Sequence, residues 1–342
     1  METTTSGSRF LVLTAAFVII VAGMKAASPI IVPFLLSIFI AIISAPGMFY
    51  LQTKGLPAVL SLLAVISVVL VFILLVVVLI GTSVDDFSQA LPLYQSRLEE
   101  KLQVLSGLFS KVGIELSVQV IQQYFDPSAV MKLVAHTLSG LGSVLSNGFL
   151  ILLTVCFMLM EASSFPVKLR NALGSPDHPL EKFDHFLVTV KQYMAIKTGI
   201  SLVTGLLVWF VLWIIGVDHA LLWGVLAFLL NYIPNIGSII AAVPPTLLAL
   251  IQLGLGDAIA VVILFTTINV VVGNVIEPRF MGKGLGLSTL VVFLSLIFWG
   301  WVLGPVGMLL SVPLTMTVKI ALDHRHETRW IAQLLDSEIV ST

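Results

Sequence analysis

Ten unbroken apolar stretches, roughly 10–24, 29–45, 57–82, 138–160, 198–216, 220–233, 238–253, 258–276, 287–303 and 306–322, take up more than half of this chain. Apolar residues make up 58% of its 342 positions and charged ones 10%, against roughly 45–50% and 25% in soluble domains. No single soluble core can hide that much apolar surface, so lipid must be part of the solvent. The stretches are continuous rather than alternating, which argues against a membrane β-barrel. Helices remain, because each closes its backbone hydrogen bonds within one segment. The expected fold class is all-α: a polytopic helical membrane protein with about eight transmembrane spans, including broken or re-entrant helical hairpins in an inverted repeat.

A full crossing needs about 20 apolar residues. The stretches 220–233 and 238–253 fall short of that, and 287–303 and 306–322 fall slightly short. Each pair is therefore either a hairpin of tilted short legs or a re-entrant loop that dips in from one side. Arg9 followed by Phe10 to Met24 has the outline of a signal peptide, but a second apolar run starts at Pro29, so a retained first hairpin is expected. With the N-terminus placed inside, twelve of the 17 Lys and Arg residues fall on the inner face. That bias puts both termini of this multi-pass chain in the cytoplasm. The net charge of −1 argues against nucleic acid as a partner. The single cysteine, Cys156, sits in an apolar run and can form no disulfide within the chain.

The chain repeats one phrase. Ile236-Gly237-Ser238-Ile239-Ile240-Ala241-Ala242-Val243-Pro244-Pro245-Thr246 returns, one residue shorter, as Val306-Gly307-Met308-Leu309-Leu310-Ser311-Val312-Pro313-Leu314-Thr315. Each copy follows a chain break, at Pro234-Asn235 and at Gly304-Pro305. One span separates the copies, so they enter the bilayer from opposite sides and are expected to meet inside it. Inverted, Pro/Gly-broken apolar segments point to the substrate site of a secondary transporter. The organisation expected is 1–82, N-terminal transmembrane helices; 83–137, a periplasmic helical insert; 138–161, a transmembrane helix; 162–197, cytoplasmic interfacial helices; 198–322, a transport core; and 323–342, a tail that looks dispensable for transport. The outer insert has a helical seam at Leu91, Tyr94, Leu98, Leu102, Leu105 and Phe109 and an N-cap signal at Asp126-Pro127. A seam recurring every seven residues can pack on another subunit. The inner insert carries Val190, Tyr193 and Met194 on an apolar face that suits the cytoplasmic leaflet.

Proline removes a donor and glycine permits positive φ, so the helix must break around Pro234 and Gly237. Backbone freed at membrane depth is tolerated against protein or a water-filled cavity. Asn231 and Asn235 flank the break with neutral amides that donate and accept, as a polar, uncharged or weakly charged solute requires; the plain alternative is an ordinary surface turn. The candidate solute path comprises Asn231, Pro234, Asn235, Gly237, Pro244, Pro245, Asn269, Asn274, Gly304, Pro305 and Gly307. Glu277 and Arg279, at the inner end of a span, are candidates for ion coupling, with a structural ion pair as the alternative. Gly282, Gly284 and Gly286 lack the strand that precedes a phosphate loop, and a hinge fits them better. Asp177-His178 and Asp184-His185 fit a solvated surface helix better than a metal site. No nucleophile with its base and no nucleotide-binding sequence is present, so neither an enzyme nor a cofactor is indicated.

Asn231-Tyr232-Ile233-Pro234-Asn235-Ile236-Gly237, Val243-Pro244-Pro245, Asn274-Val275-Ile276-Glu277-Pro278-Arg279-Phe280-Met281-Gly282 and Phe298-Trp299-Gly300-Trp301-Val302-Leu303-Gly304-Pro305-Val306-Gly307 resemble the signature blocks of the autoinducer-2 exporter (AI-2E) family of bacterial inner-membrane transporters. The resemblance runs from about residue 10 to 322. It implies export of autoinducer-2, a small polyhydroxylated quorum-sensing signal, by a homo-oligomer, with a pentamer as the expected form. It also implies H⁺ or Na⁺ as coupling ion, because some members of the family are Na⁺(Li⁺)/H⁺ antiporters. Three functions follow as expectations: a secondary exporter of a small polar solute, a cation antiporter, and a membrane scaffold or sensor acting through the periplasmic helices.

Overall fold

The computed structural model describes residues 6–110, 147–162, 164, 168, 179–234, 236–281, 287–323 and 328–336. Among the described residues every regular element is helical: α1 (Ser6–Ala26), α2 (Ser28–Thr53), α3 (Ala58–Ser110), α4 (Gly148–Glu161), α5 (Pro179–Ile215), α6 (Ala220–Leu230), α7 (Ile236–Gln252), α8 (Leu255–Ile268), a π-helical segment (Asn269–Ile276), α9 (Glu277–Met281), α10 (Thr289–Leu309), α11 (Ser311–Asp323) and α12 (Arg329–Leu334). Asp126-Pro127, Asp177-His178, Asn235 and the glycines at 282, 284 and 286 lie outside the described residues. So do the side chains of the Leu91–Phe109 seam, although its backbone belongs to α3.

Among the described residues, five helical stretches are long and apolar enough to cross a membrane: Ser28–Thr53, Ala58–Ser83, Val188–Ile215, Leu255–Ile276 and Thr289–Leu309. The protein is thus a polytopic helical membrane protein. Its shorter apolar helices include Ala220–Leu230 and Ile236–Gln252, about 16 and 25 Å long at 1.5 Å per residue, both less than a hydrocarbon core of about 30 Å. Large side chains stand bare on the outside, Phe149 at 82% and Ile30 at 78% exposed. In water such exposure would invite aggregation; in a bilayer it is the surface that lipid covers.

The chain divides into two compact units. The first holds residues up to Val65, Asn147–Gln192 and Gly284 onward. There α2 packs on α4, and the fully buried Ser37 hydroxyl bridges them by donating to the carbonyl of Ile151 at 3.3 Å, in addition to that of Pro33 at 2.7 Å. Between transmembrane helices there is no hydrophobic driving force, because lipid is as apolar as leucine, so small residues and hydrogen bonds of this kind carry association. Val21 of α1 packs with Trp299, Val302 and Leu303 of α10, and the Lys25 ammonium lies 3.7 Å over the Trp301 ring.

The tail is built into this unit. The backbone amide of Ser288 donates to the carbonyl of Leu335 at 3.1 Å, Lys319 pairs with Asp336 at 2.9 Å, and Ala332 is buried. Residues that read as dispensable in sequence are therefore fastened to the N-cap of α10.

The second unit holds Ile66–Ser146 and Tyr193–Lys283. Its core joins α5, α6, α7 and α8 through Val208, Leu212, Trp223, Leu248 and Val261, all fully or almost fully buried. Helices α5 and α6 cross at paired glycines: a Cβ on Gly205 would lie 2.7 Å from the carbonyl oxygen of Gly224, and one on Gly224 would lie 2.8 Å from that of Gly205. Neither position has room for alanine. Helix α5 passes without interruption through residue 197, where sequence places the edge of the inner insert. Val190, Tyr193 and Met194, expected to face a leaflet, are buried in protein.

Candidate functional site

The first repeated phrase forms a closed helical hairpin. Helix α6 ends at Leu230, and the chain turns through Asn231 to Pro234 before α7 starts at Ile236. At the base, Gln252 at the end of α7 is bonded to Asp218: the Asp218 amide donates to Gln252 Oε1 at 3.2 Å, and Gln252 Nε2 donates to the Asp218 carboxylate. At the tip, an alanine Cβ at Gly237 would lie 1.9 Å from the carbonyl oxygen of Leu230. The glycine is there because the backbone of one leg rests on the end of the other.

The turn is fixed to α5. Asn231 Nδ2 donates to Ser201 Oγ at 3.0 Å, and the Tyr232 hydroxyl donates to Thr198 Oγ1 at 2.8 Å. Thr198 in turn donates to the carbonyl of Met194. The asparagine that sequence marked as a solute ligand or turn former is therefore a packing contact as well.

Two recesses adjoin this turn. A groove of about 500 Å³ is lined by Ser238, Thr246, Thr266 and Asn269 among apolar side chains from α7 and α8, within the range of about 300–1,000 Å³ usual for small-molecule sites. A narrower cleft next to it is lined by Thr204, Asn231, Ser238, Asn269 and Gly273 among others. Ser238 and Asn269 line both. Pro244 and Pro245 are buried in α7, and having no amide hydrogens they leave the carbonyls of Ile240 and Ala241 without the usual helix donors. All the polar groups lining the two recesses are neutral.

Helix α8 widens as it leaves the groove. From Asn269 to Ile276 it is π-helical, and the Glu277 amide donates five residues back to the carbonyl of Val272. Pro278 has no amide hydrogen to give, so a regular helix could not have continued with full bonding here. Such single-turn widenings are rare and frequently lie at functional sites. Gly273 gives this stretch a bare face, with Asn269 Oδ1 as the neighbour nearest to where its Cβ would stand, at 3.5 Å. Asn274 is exposed and lines neither recess.

Glu277 is paired, but not with Arg279. Lys197 Nζ lies 2.6 Å from Glu277 Oε1, and their side chains are 4% and 19% exposed; Arg279 is exposed. Lys197 belongs to a stripe of α5 that sequence reading passed over. Lys197, Ser201 and Thr204 are all buried and recur at spacings of four and three, one helical face. Polar residues at that spacing inside an apolar helix were the available signal, hidden because Lys197 was grouped with the basic inner insert.

The second repeated phrase lies in the other unit and also folds back. Gly304 has φ +68° and ψ −152°, a left-handed break inside α10, followed by an exposed Pro305. A Cβ on Gly307 would lie 2.0 Å from the carbonyl oxygen of Trp299, the same carbonyl-on-glycine contact as at Gly237. The indole nitrogen of Trp299 donates to Thr315 Oγ1 at 3.0 Å. In a straight helix those two residues would stand about 24 Å apart.

Broken hairpins beside a neutral, hydrogen-bonding recess within apolar helices are features of a membrane transporter. The chain matches the model of the AI-2E family transporters over residues 14–326. It is 43% identical over 332 residues to the AI-2 transport protein TqsA of Escherichia coli strain K12, covering 97% of this chain and 96% of that protein. It is 46% identical to a putative transport protein of Haemophilus influenzae, with 96% of each chain covered. It is 40% identical to the putative transport protein YhhT of Escherichia coli strain K12, with 92% and 90% covered. The chain belongs to the AI-2E family of transporters, and its relatives are transport proteins, not enzymes.

Proposed function

We propose that this protein exports autoinducer-2, or a similarly small, hydroxyl-rich solute, across the bacterial inner membrane, with both termini in the cytoplasm and an H⁺ or Na⁺ gradient as the driving force. The observation that carries the reading is the recess beside the first broken hairpin: about 500 Å³, with Ser238, Thr246, Thr266 and Asn269 on its walls. Hydroxyls and amides exchange hydrogen bonds with hydroxyls of a solute, and leaving them unpaired would reject an apolar analogue by a large factor. The likeness to TqsA, whose name specifies AI-2, supports the solute class.

In this reading Asn231, Asn269 and the backbone freed by Pro234, Pro244 and Pro245 hold the solute. Gly237 and Gly307 permit the tight turns, and Gly304-Pro305 breaks the second hairpin. Asn235 and Asn274 complete the neutral set in another conformation, with Gly282, Gly284 and Gly286 as the hinge. Glu277 couples ion to solute, with Arg279 at the aqueous edge. The assembly is a homo-oligomer, with five subunits as the first number to test.

A second reading is favoured by one observation, the buried Lys197–Glu277 pair: Na⁺(Li⁺)/H⁺ antiport. Inside-out vesicles separate the two. Accumulation of autoinducer-2 that is lost in Asn269→Ala and dissipated by an uncoupler supports the exporter. Strong Na⁺-dependent proton movement with no accumulation of the solute overturns it in favour of antiport.

A further inference from the structure

The Lys197–Glu277 pair is open at one end only. The carboxylate side is 19% exposed, whereas the ammonium is 4% exposed, so Glu277 is the accessible member of the pair and Lys197 lies behind it. Lys197 stands 18 residues before Ile215 in α5, about 27 Å along the helix and so near one edge of a bilayer core of about 30 Å. Taking an ammonium out of water costs several kcal/mol, which one carboxylate contact offsets without surplus; apolar replacements of such pairs are often as stable or more so. An intramembrane ion pair is thus poorly explained by stability alone and is read first as functional.

Tyr193, one turn earlier on α5, is buried. Tyr232, in the hairpin turn, is bonded to Thr198, the residue after Lys197, and Arg279 lies two residues beyond Glu277, exposed. Through its amide Glu277 also ends the π segment that begins at Asn269 on the groove wall.

We propose that Lys197 and Glu277 form a single exchange site in which Glu277 takes a Na⁺ ion and Lys197 carries the proton. The balance is one for one. Na⁺ enters at the open side of the carboxylate, with water completing its oxygen shell, and displaces the ammonium. The charge of the site is conserved when the Lys197 proton departs, so H⁺ leaves as Na⁺ binds. When Na⁺ departs, Lys197 takes a proton back and closes on Glu277. This rests on the reading of the chain as an ion-coupled transporter and assigns the residue that holds the exchanged proton.

The test is proton release by the purified full-length protein in weakly buffered detergent or liposomes. A pH-sensitive dye is followed while NaCl is added, with choline chloride as control and ²²Na⁺ binding measured in parallel. The parent releases protons in step with bound Na⁺. Lys197→Gln binds Na⁺ at least tenfold more tightly and releases none. Lys197→Arg keeps a cation that cannot deprotonate, so it binds Na⁺ more weakly and also releases none; it carries the test if the glutamine variant does not fold. Glu277→Gln loses Na⁺ binding. Undiminished proton release in either Lys197 variant overturns the assignment, as does Na⁺ binding that survives in Glu277→Gln. A parent that moves autoinducer-2 but releases no proton on NaCl addition defeats this inference alone, whereas one that exchanges Na⁺ for H⁺ without moving the solute defeats the exporter reading alone.

Discussion

Gly237 and Gly307 are the residues on which the duplicated phrase depends, and the reason is contact rather than flexibility. Each presents its bare Cα to a carbonyl oxygen of the preceding leg, where a methyl would sit 1.9 or 2.0 Å away. Backbone on both sides leaves nothing soft to yield. Alanine at either position is expected to cost about 3 kcal/mol or more, seen as a lower melting temperature in detergent and lost transport. Gly199→Ala, where nothing lies within 4 Å, is expected to be neutral or to stabilise by up to about 1 kcal/mol. Trp299→Phe removes the donor to Thr315 in a buried place and is expected to cost about 1–3 kcal/mol, with Thr315→Val largely relieving that loss in the double variant. Sequence reading found both glycines from the repetition itself. It could not find Lys197 as the partner of Glu277, because 80 residues separate them and nothing local records that distance.

At the scale of elements, the π segment and the tail carry the sharpest expectations. Asn269 to Ile276 contains three successive valines and ends at a proline-bearing turn, so its widened form is sustained by neighbours rather than by preference. Deleting Val271 removes the extra residue of a π turn. It is expected to restore regular helix spacing, pull Glu277 out of register with Lys197 and abolish ion-dependent transport. The protein should still reach the membrane, as a fluorescent fusion and the transport assay together would report. Ending the chain at residue 327 removes α12 with its links to Lys319 and Ser288. The expected loss is about 1–2 kcal/mol in stability, from one half-buried pair and the burial of Ala332, measured by thermal unfolding. The docking of the tail was not legible in sequence, because short polar helices look alike whether they float or dock. The hairpins were legible because Pro234, Gly237, Gly304 and Pro305 coincide with the ends of short apolar runs, while the widening at Asn269 has no comparable mark.

For the whole molecule, hydropathy was enough to settle the class, since continuous apolar runs admit one kind of backbone bonding in lipid. It also set apart the short legs of both hairpins, although only the coordinates tell that α3 runs on as one helix of 53 residues past the expected edge of the insert. The inward bias of Lys and Arg predicts that a fluorescent protein fused after Thr342 lights up and a periplasmic phosphatase at the same place stays inactive; the reverse result would invert the orientation. The closed hairpin of α6 and α7 has one more consequence. From the Asp218–Gln252 clasp to the Asn231–Pro234 turn it reaches roughly 20–25 Å, so how near its polar tip comes to the far water depends on the thickness of the membrane around it. Short-chain lipids bring that water to the tip and long-chain lipids withdraw it. Turnover should therefore fall as acyl length grows, which makes the host membrane's lipid composition a throttle on this protein with no ligand involved.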